Sequence, residues 1–313
     1  MRVVVTGGAG FIGSNLCRTL GLLVGVDHVI ALDDFSTGRK ENLVDQPGVE
    51  LVEGTILDPG ILDSVLDGAD TIVHLAARPS VPRSIAEPLA SHETNATGTV
   101  MVLEAARRAG TVHVIVASSS SVYGANPALP KHEDLVPMPL SPYAASKLAG
   151  ESYALAWAGS FGQEVLVLRF FNVFGPGQTA GHAYAAVVPS FVEAALAGRP
   201  LLVHGDGLQT RDFTYVGDVA SVLGDAVARG VTSDRPVNLA FGSTVSLREL
   251  IEQLEALLGR ALTIEHADPR PGDVRHSTAD QTRLRLLFPD IEPVSLADGL
   301  RATIAWFQRA ATV

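Results

Sequence analysis

The chain has 313 residues, 47% of them hydrophobic and 18% charged, with a formal net charge of −11. Such a composition describes a well-packed soluble protein with room for one large α/β domain and a smaller one, and it excludes extensive disorder. The acidic balance argues against nucleic-acid binding and against an anionic membrane surface, so any anionic ligand has to be met by local cations.

The first predicted element is a buried parallel strand, Val3-Val4-Val5, which runs into Thr6-Gly7-Gly8-Ala9-Gly10-Phe11-Ile12-Gly13. The glycines let the backbone turn sharply and approach a ligand before an apolar helix begins at Phe11. The spacing reads either as Gly8-x-Gly10-x-x-Gly13 or as Gly7-x-x-Gly10-x-x-Gly13, and both set helix N-terminal N–H groups against a pyrophosphate. A second apolar strand, Val29 to Leu32, ends in Asp33 about twenty residues on, which completes a dinucleotide-binding pattern. A carboxylate there accepts hydrogen bonds from both ribose hydroxyls and repels a 2′-phosphate, so NAD is favoured over NADP. Arg39 and Lys40 stand nearby as either partners for a 2′-phosphate or solvated loop charges. Cys17, the only cysteine, falls in the first helix as a small core residue and excludes an internal disulfide framework.

Val49 to Glu53 is predicted as a strand and Pro59 to Leu66 as a helix capped by Asp58. Thr71 to Ala77 reads as a buried strand, Thr94 to Ala109 as a helix ended by Gly110, and Val112 to Val116 as a strand. A helix from Pro142 to Ala158 and a strand from Val165 to Phe170 follow. This alternation predicts a doubly wound, Rossmann-type parallel sheet.

Past Asn172 the rhythm changes, with a glycine- and proline-rich loop from Gly175 to Gly181 and a helix from Val187 to Ala197. A strand at Leu201 to His204 precedes the turn Gly205-Asp206-Gly207, and a helix from Arg248 to Leu258 is capped by Ser246 and ended by Gly259. The prediction is a smaller C-terminal α/β substrate-binding domain over the carboxyl edge of the sheet. Residues 1–172 form the first domain, to which the chain returns around 213–242; residues 173–212 and 243–313 form the second. No stretch approaches the ~18 apolar residues of a membrane span, and the apolar start lacks the basic flank of a signal peptide, which predicts a cytoplasmic protein. No histidine pair sits at metal-ligand spacing beside other ligands, so no metal is expected.

The strand from Val112 ends in Ser118-Ser119-Ser120-Ser121-Val122-Tyr123-Gly124, four hydroxyls where α/β ligands bind, or simply a polar turn. Downstream, Tyr143 and Lys147 stand at i and i+4 and share one helix face. The glycine turn, the serine-bearing strand end and this Tyr-x-x-x-Lys pair together resemble the extended short-chain dehydrogenase/reductase family. The rest of the chain is most similar to its nucleotide-sugar 4-epimerase branch. Matching stretches include His74 to Ala77, Ser80 to Ser84, Leu168 to Asn172, Gly205 to Val216 and Arg270 to Asp280.

The resemblance implies Tyr143 as general base, Ser119 as the hydroxyl that bonds the reacting sugar oxygen, and Lys147 as the holder of the nicotinamide ribose. The lysine and the nicotinium charge are expected to lower the tyrosine from its usual ~10 towards neutrality. Cofactor contacts are implied for Gly7, Gly10, Phe11, Ile12 and Gly13, then for Asp33, Asp34, Ser36, Thr37 and Gly38. They continue through Thr55, Ile56, Leu75, Ala76, Ala77, Asn95, Ser118 and Phe170. Thr55 stands where the family usually has an aspartate that accepts from the adenine amine.

For the substrate the resemblance implies Arg211 and Arg270 on the diphosphate, Asp273 on the uridine ribose and Asn172 on a phosphate, each arginine being otherwise a surface ion-pair partner. Ser80, Arg83, Ser120, Val188, Val203 and His204 complete the implied substrate set. Ser277, the fourth residue after Asp273, matches a gate beside the sugar's C2 substituent and is small, which admits an N-acetyl group.

Related dehydratases carry Asp-Glu, and related decarboxylases a Glu, just before Val-Tyr-Gly, whereas this chain has Ser120-Ser121. The expected activity is therefore 4-epimerisation of UDP-glucose and UDP-galactose, and of UDP-GlcNAc and UDP-GalNAc, by a homodimer. Alternatives are a UDP-glucuronate 4-epimerase, a dehydrogenase or dehydratase of the same fold, and a non-catalytic NAD-binding module.

Overall fold

The computed structural model describes residues 1–111, 113–180, 185–268 and 275–310. In chain order, β1 (Arg2–Thr6), α1 (Phe11–Leu20), β2 (His28–Asp33), β3 (Val49–Glu53), α2 (Pro59–Leu66) and β4 (Thr71–His74) come first. They lead through two short helices, α3 (Val81–Ala86) and α4 (Pro88–His92), to α5 (Gly98–Ala109) and β5 (His113–Ser119). Next come α6 (Pro142–Phe161), β6 (Glu164–Phe170), β7 (Val173–Phe174), α7 (Val187–Leu196), β8 (Leu201–His204), β9 (Thr210–Asp212) and β10 (Thr214–Tyr215). The chain ends with α8 (Val216–Arg229), β11 (Val237–Leu239), β12 (Thr244–Ser246), α9 (Leu247–Leu258), β13 (Ile264–Ala267), α10 (Thr282–Leu287) and α11 (Leu296–Ala310).

Seven strands form one parallel sheet in the order β11-β6-β5-β4-β1-β2-β3. The strand order reverses between β1 and β4, which opens a crevice at their carboxyl ends. One face of the sheet is covered by α1 and α8, whose Leu16, Cys17, Val219 and Leu223 are fully buried against Val3, Val5 and Leu166. The other face carries α2, α5 and α6 through Leu62, Val102, Leu103 and Ala154. A third core, built from Phe174, Phe191, Phe213, Leu250 and Leu300, lies under α7, α9 and α11. Among the described residues, no helix is long and apolar enough to cross a membrane.

Several predicted ends shift. The strand from Thr71 stops at His74 rather than Ala77 because its partner β1 ends at Thr6. β5 runs past Val116 to Ser119 because β6 continues alongside it to Phe170; Val112, its predicted first residue, lies outside the described residues. The helix predicted from Thr94 begins as a π-helical turn, Glu93–Thr97, before α5. α6 passes Ala158 and stops only where Gly162 adopts φ 71°.

Candidate active site

A cleft of about 970 Å³ opens along the carboxyl edge of the sheet. At one end Gly7 takes φ 71°, and a side chain there would bring Cβ to 2.8 Å from the Ala76 amide nitrogen. A Cβ at Gly13 would stand 2.1 Å from the Gly7 carbonyl oxygen, so α1 can approach the turn only with glycine. Gly10 is the N-cap of α1 and has no side-chain cap, and no acidic residue lies in the first turn. The N–H groups of that turn are thus left to an anionic ligand. Gly7, Gly10, Phe11, Ile12 and Gly13 all line the cleft.

Asp33 closes this end. Its Oδ2 accepts from the Ala9 amide and its Oδ1 from the Phe35 amide, both at 2.9 Å. Burial pushes the carboxyl above its usual range while these backbone bonds oppose the rise. Gly38 lies against the carboxylate, and Asp34, Ser36, Thr37 and Arg39 also line the cleft. Lys40 is turned away, paired with Glu53 at 2.7 Å. Glycines that only a close-packed turn explains, an uncapped helix start and a ribose-ready carboxylate fit NAD. Ile56, Leu75, Ala76, Ala77, Ser118 and Phe170 line the same cleft. Thr55 and Asn95 do not. Thr55 instead accepts from the Leu57 amide at 3.2 Å, and Asn95, buried, ties the Arg78 amide to Ser146.

At the centre, three consecutive residues of β5 meet α6. The Ala117 carbonyl accepts from the Lys147 ammonium at 2.9 Å, and the Ser119 side chain stands beside the Tyr143 hydroxyl and favours its ionised form. Ser118 donates to Glu151 at 2.8 Å. Ser121 donates to Ser119 through both its amide, at 3.2 Å, and its hydroxyl, at 2.9 Å, which fixes the serine rotamer. Burial lowers Lys147 to about 8. For Tyr143 the expected lowering by Lys147 is not what the protein's own groups produce. Burial pushes the phenol above its ordinary value, and the Ser119 side chain opposes this only in part.

The other end gathers Ser80, Arg83, Ser120, Asn172, Arg211 and Ser277. Ser80 caps α3 in a left-handed conformation, φ 93°, which turns the following residues into the cleft. Asn172 donates to the Asp212 carbonyl at 2.9 Å and so ties β6's exit to β9. Arg211 donates to the Thr210 carbonyl at 2.8 Å, and the Ser277 amide to the same carbonyl at 3.2 Å. Val188 and Val203 are buried in the third core, and the His204 ring donates to the Asp268 carbonyl at 2.9 Å; none of the three lines the cleft. Arg270 and Asp273 lie outside the described residues. Among the described residues lining the cleft the carboxylates are Asp33 and Asp34, both at the cofactor end.

Sequence reasoning missed Lys131, which lines the cleft and is only 4% exposed. Its amide donates to the Thr278 carbonyl at 2.7 Å and its carbonyl accepts from the Asp280 amide at 2.9 Å. Its burial comes from a pairing almost 150 residues away, and the local sequence carries no signal of it.

The pattern of the NAD dependent epimerase/dehydratase family matches residues 3–240. The UDP-glucose 4-epimerase of Mycolicibacterium smegmatis is 39% identical over 98% of this chain and 99% of its own. The UDP-N-acetylglucosamine 4-epimerase from Methanobrevibacter ruminantium, solved with UDP-N-acetylmuramic acid, superposes with a TM-score of 0.92 at 35% identity, covering 99% of this chain and 98% of its own. A UDP-glucuronic acid 4-epimerase from Bacillus cereus, solved with UDP-glucuronic acid and NAD, gives 0.89 at 31% identity over 99% and 100%. Curated relatives at 35% identity include dTDP-glucose 4,6-dehydratases from Streptomyces.

Proposed function

Because the chain belongs to the NAD-dependent epimerase/dehydratase family, we propose that it is a nucleotide-sugar 4-epimerase. Its substrates in this reading are UDP-glucose and UDP-galactose together with UDP-GlcNAc and UDP-GalNAc. The observation that carries the reading is chemical. Ser119, Tyr143 and Lys147 converge at one strand end, while Ser120 and Ser121 supply hydroxyls, and no carboxylate among the described residues lines the sugar end of the cleft. A dehydratase needs further acid–base groups for the bonds at C5 and C6. An epimerase needs one base, used twice.

In the proposed mechanism Tyr143 takes the proton of the sugar's 4-hydroxyl while Ser119 holds that oxygen. Lys147 supplies positive charge beside the phenol and is itself fixed by the Ala117 carbonyl. When bound, NAD supplies the redox chemistry that side chains lack, accepting the C4 hydrogen with its electron pair and returning it. The cleft would have to leave the oxidised sugar room to turn, and Tyr143 gives the proton back to the 4-oxygen. The glycine turn of residues 7–13 and Asp33 hold the cofactor. Residues 173–212 and 243–313 carry the nucleotide sugar, with Arg211 and Arg270 on the diphosphate and Asp273 on the ribose. A bidentate guanidinium suits that anion in an otherwise acidic protein.

A second reading, UDP-glucuronate 4-epimerisation, is favoured by Lys131. Its buried ammonium donates to the Asn126 carbonyl, and its backbone is stitched to the segment that carries Ser277. A cation there would suit a sugar carboxylate. Substrate deuterated at C4 tests the reaction class. Epimerisation retains the label at C4 of the product, whereas dehydration delivers it to C6.

The assembly in this proposal is a homodimer through α5 and α6. On α6, Tyr153, Trp157 and Phe161 form an edge-packed ladder with ring centroids 5.9 and 5.3 Å apart. Tyr153 and Phe161 are 45% and 53% exposed, an apolar ridge suited to a second copy. Light scattering at micromolar concentration should give the dimer mass, and a monomer mass contradicts it.

A further inference from the structure

We propose that Glu151 is a positioning residue for the reaction, locking α6 to the end of β5 on which Ala117 and Ser119 meet Lys147 and Tyr143. The proposal rests on the catalytic reading above. Tyr143, Lys147 and Glu151 follow at four-residue intervals along one face of α6, and each engages one of three consecutive residues of β5. Glu151 does so through a buried carboxylate. Its Oε2 accepts from the Ser118 hydroxyl at 2.8 Å and from Arg169 Nε at 3.0 Å, and its Oε1 accepts from Arg169 Nη2 at 2.5 Å. Ser118 and Arg169 are register partners in neighbouring parallel strands, so a single carboxylate joins β5, β6 and α6.

Arg169 is held in turn. It donates to the Glu133 carbonyl at 3.3 Å and lies 4.7 Å over the Tyr123 ring, whose hydroxyl donates to Asn238 at 2.6 Å. Neither Glu151 nor Arg169 lines the cleft.

Stability alone gives little reason for this arrangement, because a buried ion pair contributes about as much as a well-packed apolar pair of similar volume. The β5–β6 backbone ladder already runs through Ser118 and Arg169 without it. What the carboxylate adds is a bond between helix and strand that fixes the slide of α6 along β5. That coordinate sets both the Tyr143–Ser119 and the Lys147–Ala117 contacts.

Two perturbations reach the same coordinate by different routes. Glu151→Leu with Arg169→Met replaces the pair by an apolar one and leaves every cleft residue in place. Ser118→Ala removes only the strand's donor and leaves the ion pair intact. Both should lower kcat on UDP-glucose by roughly 10- to 100-fold, the scale of sub-ångström to ångström misplacement; KM, bound NAD and melting temperature should be unchanged in the Glu151→Leu/Arg169→Met protein, whose changed residues lie outside the cleft. Glu151→Gln with Arg169→Gln keeps an acceptor for Ser118 and should restore most of kcat, as should Ser118→Thr.

Wild-type kcat in the Glu151→Leu/Arg169→Met protein overturns the proposal. Equal loss in the leucine/methionine and glutamine/glutamine proteins together with a lowered melting temperature also overturns it, in favour of a purely structural pair. Tyr143→Phe is measured alongside: if that variant is fully active, the catalytic reading has failed rather than the positioning one.

Discussion

The Lys147 ammonium donates to the carbonyl oxygen of Ala117 at 2.9 Å, which ties the cation to the strand that ends in Ser119. The lysine is only 8% exposed, and burial lowers it from 10.5 to about 8. Its folded value lies below its unfolded one, so the charged form is disfavoured in the fold. The cost, about 3 kcal/mol, is present in full below pH ~8 and is relieved as pH rises through ~10.5. Lys147→Met is therefore expected to melt higher than wild type at pH 7, after ~1 kcal/mol for the orphaned carbonyl, by a margin that shrinks towards pH 10. Turnover is lost in the same variant. A lower melting temperature at pH 7, or a margin independent of pH, contradicts the assignment.

Tyr143→Phe removes one hydroxyl from a partly buried ring and changes little volume. The expected outcome is an intact fold with bound NAD and a fall in kcat of at least the ~10²-fold typical of a lost general base. Steady-state kinetics beside a cofactor assay on denatured protein check it, and near-normal turnover would remove the mechanism.

Gly38→Ala tests the cofactor end. A Cβ at residue 38 would come within 2.6 Å of Asp33 Oδ1 and 2.8 Å of Oδ2, so the carboxylate proposed to receive the ribose has to move. We expect purified Gly38→Ala to release little NAD(H) on denaturation, where wild type should release about one equivalent because each cycle of the proposed epimerisation returns the cofactor to its starting state. Full occupancy in the variant contradicts the role of Asp33.

How much of this was legible in the sequence follows from the range of the forces involved. Elements governed by local chemistry are where the residues indicate. Asp58 caps α2, accepting from Gly60 and Ile61; Ser246 and Glu249 make a capping box; Gly110 and Gly259 end their helices in the left-handed region. What escaped is held by distant partners. α3 and α4, the β9–β12 pair and the Lys131–Ala279 bridge carry no periodic signal of their own. Val188 and Val203 could be assigned to a ligand on resemblance, but only packing reveals that they belong to the third core. Likewise the sequence cannot show how far burial opposes the charges expected to lower Tyr143: among the protein's own groups burial raises the phenol.

Ser277 lines the cleft, pinned by its amide to the Thr210 carbonyl at 3.2 Å, so its side chain can be enlarged without breaking a backbone pairing. Ser277→Tyr should suppress turnover of the N-acetylated pair by orders of magnitude while sparing UDP-glucose and UDP-galactose. An equal loss on both pairs would show that this residue does not gate the C2 substituent.

In the proposed reaction one tyrosine base and a retained cofactor invert C4 of a UDP-hexose with no net redox change. The direct measurement is anomeric-proton NMR of the purified protein incubated, with no added NAD, with UDP-glucose, UDP-GlcNAc and UDP-glucuronate in separate tubes. UDP-glucose and UDP-GlcNAc should each approach an equilibrium with the 4-epimer, and no 4-keto-6-deoxy product should accumulate. A 4-keto-6-deoxy sugar, or conversion confined to UDP-glucuronate, would contradict it.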